Sequence, residues 1–283
     1  MNEKNVFELE QIASQVRRDI IRMVHKAKSG HPGGSLGCAD IMTALFFSLL
    51  NATPENFSET GTGEDMFFLS NGHISPVLYS VMARRGYFPV NELATFRFLE
   101  TRLQGHPSPK YHLNGIRVAS GSLGQGISVA IGAALAKKSN QDPNLVYVMC
   151  GDGELQEGQN WEAILFAAAN KIDNLILLVD YNKKQIDGSL EEVCNLGNLH
   201  AKFEAFDWNV VEMNGNDMND ILIKMNEAKQ LTKKSKPIVG IMHTEMGMGV
   251  DFMMGTHKWH GSPPNDEQAR EALSQLPETI GDY

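Results

Sequence analysis

Residues 145–182 read LVYVMCGDGELQEGQNWEAILFAAANKIDNLILLVDYN, and this stretch decides the fold. An apolar run, 145–150, stops at Gly151-Asp152-Gly153. Trp161, Ile164, Leu165 and Ala168 then recur at helical spacing, and a second apolar run, 174–180, leads into Tyr181-Asn182. Strand, glycine turn, helix and strand make one βαβ unit. The expected fold class is therefore α/β, a parallel sheet flanked by helices. The loops at Asp152 and Asn182 open at one edge of such a sheet, where ligands bind.

Gly151 and Gly153 let the backbone approach a ligand closely, and the following helix offers free N–H groups to an anion. The carboxylate of Asp152 between them would repel a bare phosphate. A hard cation resolves the conflict, because Mg²⁺ takes oxygen ligands, typically one or two carboxylates plus substrate phosphates. Asn182 can add a neutral oxygen. A dinucleotide fold is the rival, but its third glycine position holds Gln156 and the next glycine is Gly158. A tight turn that merely caps the helix is the third possibility. The loop alone leaves these open.

Longer matches add to this. GDGELQEG, followed about thirty residues on by VDYNKKQIDG, resembles the thiamine diphosphate signature of the transketolase family. KSGHPGGSLG at 28–37, LSNGH at 69–73, GSLGQGI at 121–127 and WHGSPP at 259–264 resemble the same family in the same order. The resemblance runs from the first helix to about Pro264. It implies a thiamine diphosphate-binding fold with Mg²⁺, or Ca²⁺ or Mn²⁺ in its place. It implies metal ligation by Asp152, Asn182 and the backbone carbonyl of Lys184. Lys184 stands where the family usually has an apolar residue, so its side chain must point away from the metal. Cofactor contacts are implied for His73, Gly121, Ser122, Leu123, Gly151, Gly153 and His260. Ser122 replaces a proline common in transketolases. Substrate-facing roles are implied for His31, His73, His106 and His260, and a network linking paired active sites for Glu157 and Glu162. His25, His112, His200, His243 and His257 have no such match and are read as structural.

Bulk properties bound the partners. The chain has 283 residues, 42% hydrophobic, with net charge −9. That charge argues against nucleic acid or an anionic membrane as partner. Cys38, Cys150 and Cys194 fit neither a disulfide framework nor zinc spacing. No apolar leader or membrane-length run is visible, so the cytoplasm is expected.

Around the central unit, Leu9, Ile12, Val16, Ile20, Met23, Val24 and Ala27 trace a helix face, with Gly30 as its C-terminal glycine. Residues 31–36 read as a loop and 41–50 as a helix. Strands are expected at 66–69, 208–213 and 237–243. Helices are expected at 74–85, at 91–103 behind an Asn91 cap, at 199–206, and at 218–229 behind an Asp217 cap. Residues 246–261 read as a mobile loop over the site.

In the family, a glutamate from a second, pyrimidine-binding domain activates the cofactor. No further strand–helix series follows here, so one domain over 1–283 is expected, without the pyrimidine-binding and C-terminal domains. The resemblance is thus to the N-terminal subunit of a split transketolase, completed by a separate C-terminal chain in an α₂β₂ assembly. Its expected reaction moves a two-carbon ketol unit from a ketose donor to an aldose acceptor, with pentose phosphate pathway sugars as the default. Two alternatives remain: the α-type subunit of a 2-oxo acid dehydrogenase first component, and a non-catalytic diphosphate-binding module. The histidine-bearing motifs suit a polyhydroxy substrate and favour the transketolase reading.

Overall fold

The computed structural model describes residues 4–283; the first three positions of the expected 1–283 domain lie outside them. Helices α1 (Val6–Ala27), α2 (Pro32–Gly37) and α3 (Ala39–Ala44) come first, the last running into a π-helical turn, Leu45–Leu49. Strand β1 (Met66–Leu69), helices α4 (Ser75–Arg85) and α5 (Gly126–Ser139), and β2 (Val146–Gly151) follow. Helix α6 (Gly158–Ala169) and β3 (Leu175–Tyr181) complete the central unit. Next come a small hairpin, β4 (Lys184–Gln185) and β5 (Gly188–Ser189), and helices α7 (Leu190–Val193) and α8 (Leu199–Ala205). Strand β6 (Asn209–Asn214), α9 (Met218–Leu231), β7 (Ile238–His243) and α10 (Asp266–Gln275) close the chain.

Five strands form one sheet in the order β1-β2-β3-β7-β6, and every pairing is parallel. All five C-terminal strand ends therefore lie along one edge. Side chains alternate between two cores, as the two-residue strand period requires. Tyr147, Met149, Ile176 and Leu178 face α1, α3, α4 and α9. Val146, Val148, Cys150, Leu175, Leu177 and Val179 face α5, α6 and α8. Burial on both faces explains why the strands read as continuous apolar runs.

Four local expectations need correction. Residues 91–103 do not form a helix. A short 3-10 helix, Val90–Thr95, follows Pro89, and Asn91 caps nothing. Arg97 and Glu100 then adopt left-handed φ values of 59° and 62°, and the Arg97 N–H donates to the Leu103 carbonyl at 2.9 Å. The Thr95 hydroxyl donates to the Glu92 carbonyl, so a local bond replaces helix propagation. Helix α1 ends on Lys28 in the left-handed conformation, not on Gly30.

Residues 32–37 are helix rather than loop, opened by Pro32 at the first helical position. Its glycines serve packing: a Cβ on Gly33 would lie 2.8 Å from the Trp259 carbonyl. Residues 246–261 are tied down. Met246, Val250 and Met253 are buried, and backbone bonds join Gly33 to Trp259 and Gly247 to Gly33. Helix α10 was not expected; Asn265 and Gln268 form its capping box.

Candidate active site

Asp152 follows β2 and Asn182 follows the neighbouring β3, so the sheet register places them side by side. Asp152 is 2% exposed. Its carboxylate accepts from the Gly153 N–H at 2.7 Å and the Lys183 N–H at 2.6 Å. Asp180, also buried, accepts from Asn182 Nδ2 at 2.9 Å, from the Thr244 hydroxyl and from the Cys38 thiol. Burial pushes Asp152 up to about 8, with the charge of Asp180 adding to the shift. Burial raises Asp180 as well.

Among the described residues neither carboxyl has a cationic partner. A buried carboxylate without one is costly, so the pair must stay neutral or meet a cation. The Asp152 carboxylate, the Asn182 Oδ1 and the Lys184 carbonyl can supply oxygen donors of the kind Mg²⁺ takes. The Lys184 ammonium is engaged elsewhere, 3.0 Å from Glu245 Oε1. No cluster of three or more His, Cys, Asp or Glu suited to a metal occurs among the described residues. The available donor set is therefore one carboxylate with neutral oxygens, unlike a zinc site.

Glu154 fixes the second wall. It is buried and unforeseen from sequence. Its carboxylate accepts from Gly124 N at 2.8 Å, Gly151 N at 3.2 Å and the Ser70 hydroxyl. The Ser70 hydroxyl in turn accepts from Gly126 N at 3.1 Å. One acid thus joins the end of β1, the end of β2 and the glycine loop 121–126. That loop carries Leu123, 39% exposed, at the cavity mouth. Gly121 has φ +117°, and a Cβ there would lie 2.8 Å from the His106 ring, so glycine is required.

Four histidines converge on the same cavity. His31 precedes α2, His73 lies in the 3-10 helix Gly72–Ile74, and His106 and His260 come from loops. The His31 ring centroid lies 5.1 Å from that of His73, 5.6 Å from His260 and 6.4 Å from His106, and His73 and His260 are 5.0 Å apart. Burial depresses all four, and repulsion from neighbouring rings adds to it at His31 and His73. His31 falls to about 4, His73 goes well below its ordinary value, and burial lowers His106 and His260 too. At neutral pH the cluster is uncharged, so each ring has one donor and one acceptor nitrogen. The Nδ1 atoms of His31 and His260 and the Oδ1 of Asn71 are buried without a hydrogen-bond partner among the described residues.

These groups line one cavity of about 400 Å³. It brings together His31, His73, His106, His260, Gly121, Leu123, Gly151, Asp152, Gly153, Glu157, Asn182 and Lys184. Ser122 and Glu162 do not line it; both are exposed, Glu162 on α6. Lining residues that the sequence reading missed include Asn71, Glu154, Asp180, Gln185 and Asp187. Glu154 and Asp180 did carry a signal: Asp180 is an acid within an apolar strand, and Glu154 directly follows the Gly151-Asp152-Gly153 turn. The five histidines read as structural lie outside this lining.

A family model described as the thiamine diphosphate binding domain of transketolase matches residues 9–278. The chain belongs to this family. An apulose-4-phosphate transketolase subunit from Phocaeicola vulgatus is 37% identical over 272 residues, covering 96% of this chain and 95% of that protein. The 6-deoxy-6-sulfo-D-fructose transketolase subunit SqwG of a Clostridium species is 36% identical over 277 residues, covering 98% of each. Transketolase from Campylobacter jejuni superposes with a TM-score of 0.88 at 35% identity. That match covers 96% of this chain but 43% of the Campylobacter protein. The chain thus spans nearly all of the subunit-type relatives and less than half of the longer transketolase. The family and the α/β fold expected from the motifs are borne out, and the 2-oxo acid dehydrogenase alternative is not favoured. No helix among the described residues is long and apolar enough to cross a membrane.

Proposed function

We propose that this chain is the cofactor-binding N-terminal subunit of a thiamine diphosphate-dependent transketolase, acting with a separate C-terminal chain in the cytoplasm. One observation carries the reading. A buried acid pair with no cationic partner among the described residues, Asp152 and Asp180, shares one cavity with four histidines whose rings burial holds below their ordinary pKa. The acids call for a divalent cation, and the neutral rings suit a polyhydroxy substrate.

In this reading residues 1–283 form a single diphosphate- and metal-binding domain. Asp152, Asn182 and the Lys184 carbonyl hold Mg²⁺ against the cofactor diphosphate. The backbone of Gly121, Ser122, Gly151 and Gly153, with His73 and His260, receives the cofactor, and Leu123 packs on its ring. Thiamine diphosphate supplies, when bound, the nucleophilic carbon that moves a two-carbon ketol unit. The chain's own residues do the rest. His31, His73, His106 and His260 orient substrate hydroxyls. Being neutral, each accepts at one ring nitrogen and donates at the other, so protons can pass to and from the substrate oxygens. Glu157 precedes α6 and Glu162 lies on it; Leu165 and Phe166 of α6 and Val129 of α5 are exposed. This face meets the partner chain in an α₂β₂ assembly.

The substrates are a ketose donor and an aldose acceptor, as sugar phosphates or related anionic sugars. Two relatives are named for apulose-4-phosphate and for 6-deoxy-6-sulfo-D-fructose, so a test panel must extend beyond pentose pathway sugars. The test is co-expression with a C-terminal transketolase chain, then a panel of ketose donors with Mg²⁺ and thiamine diphosphate. Ketol transfer should need both chains and both cofactors. Full transfer by this chain alone, or oxidative decarboxylation of a 2-oxo acid by the pair, would overturn the reading.

A further inference from the structure

Arg97 stands beside the histidine cluster but outside the cavity lining, and no ion pair among the described residues includes it. Its backbone is left-handed, φ 59°, a conformation uncommon for arginine. The side chain lies between two loops. Nη1 donates to the Ser29 hydroxyl at 2.8 Å, two residues before His31. The guanidinium lies flat against Gly105, immediately before His106. A Cβ at Gly105 would meet Arg97 Cζ at 2.7 Å, Nε at 2.8 Å and Nη2 at 2.9 Å. Helix α4 holds the same loop from the other side, through Ser75 to the Gly105 carbonyl and Tyr79 to the Gln104 carbonyl. Arg97 Nε and Nη2 are buried without a hydrogen-bond partner among the described residues. A half-buried cation that lacks a carboxylate is costly for the fold.

We propose that Arg97 is a positioning residue, wedged between the loops of His31 and His106 so as to set the spacing of the two rings. This rests on the site assignment made above. The electrostatics agree with the geometry. Arg97 depresses His31 and His106 in addition to burial, whereas His73 and His260 do not feel it. His73 faces His260, His31 and His106; His260 faces Asp187 and His257; Arg97 itself faces the Tyr79 hydroxyl. The four rings therefore divide into two that answer to the guanidinium and two that do not.

The test is NMR titration of the histidine ring protons in the full chain, for wild type, Arg97→Met and Arg97→Lys. In Arg97→Met the midpoints of His31 and His106 should rise together while those of His73 and His260 hold, and Arg97→Lys should restore them. Gly105→Ala displaces the guanidinium by contact and should give the same selective rise, so the test survives if Arg97→Met does not fold. In the reconstituted pair, Arg97→Met should lower kcat/KM about tenfold to a hundredfold and move the acid limb of the pH profile upward. Unchanged midpoints in a folded variant, or equal movement of all four rings, would overturn the proposal. The titrations need no partner, cofactor or turnover. Their failure would leave the proposed function standing, and an inactive pair with the selective shift would count against the function alone.

Discussion

Replacing Asp152 by Asn should change how stability depends on pH more than it changes stability itself. In the folded chain Asp152 titrates at about 8; in an unfolded chain an aspartate titrates near ~3.9. Between these values the folded state holds a proton that the unfolded state has released. The apo chain therefore loses stability as pH rises through this window, by about 1.4 kcal/mol per pH unit from this one group. From pH 5.5 to 7.5 that is roughly 3 kcal/mol, or about 5–10 °C in Tm for a domain of this size. Asn cannot titrate, so its stability curve should lack this fall. The substitution also sets an amide N–H₂ against one of two backbone donors, Gly153 or Lys183, at a cost of about 1–3 kcal/mol that is independent of pH. The diagnostic quantity is thus the slope of the difference between the two proteins. Thermal unfolding in EDTA at several pH values measures it. Saturating Mg²⁺ with thiamine diphosphate should flatten the wild-type slope, because the cation favours the ionised carboxylate, and should leave Asp152→Asn unmoved. Parallel pH curves for the two proteins in EDTA would refute the claim that Asp152 is held neutral.

Two further outcomes follow from the same site. Glu154→Ala leaves the donors of Gly124, Gly151 and Ser70 without their acceptor, so urea unfolding should show a loss of about 3 kcal/mol or more; a loss below about 1 kcal/mol would mean that the knot contributes little. His31 titrates at about 4 when folded, below its unfolded value, so its contribution is whole above about 6.5 and is lost as pH falls toward 4. His31→Gln should therefore make the apo chain less acid-sensitive across that interval. A thermal scan series checks it, and an unchanged acid limb counts against a buried neutral ring.

Much of this molecule could be read before folding. Strand β1 matches its expected bounds, Met66–Leu69, because a short apolar run abuts Ser70-Asn71-Gly72. Asp152 and Asn182 stood out because polar residues ending adjacent parallel strands must share an edge. Where the reading failed, distant contacts had overridden local pattern. Helix α2 looks like a glycine loop until Trp259 is brought against Gly33. Residues 91–103 read as a helix from the Asn91 cap, yet the chain turns left-handed at Arg97, whose side chain packs against Ser29 and Gly105. Asp180 and Glu154 were missed because what makes them tolerable inside, Thr244 and Cys38 for one and Ser70 and Gly124 for the other, lies far away in sequence.

The three-way junction at Glu154 bears on speed as well as on strength. A mouth whose rims are fastened to one another before any ligand arrives has little rearranging to do on capture. Association with the cofactor should then be governed by diffusion and by access past Leu123, with a small entropic penalty for ordering the protein. Cutting the junction would turn capture into a process that waits for the glycine loop to settle, so the first sign of damage should be a slower on-rate.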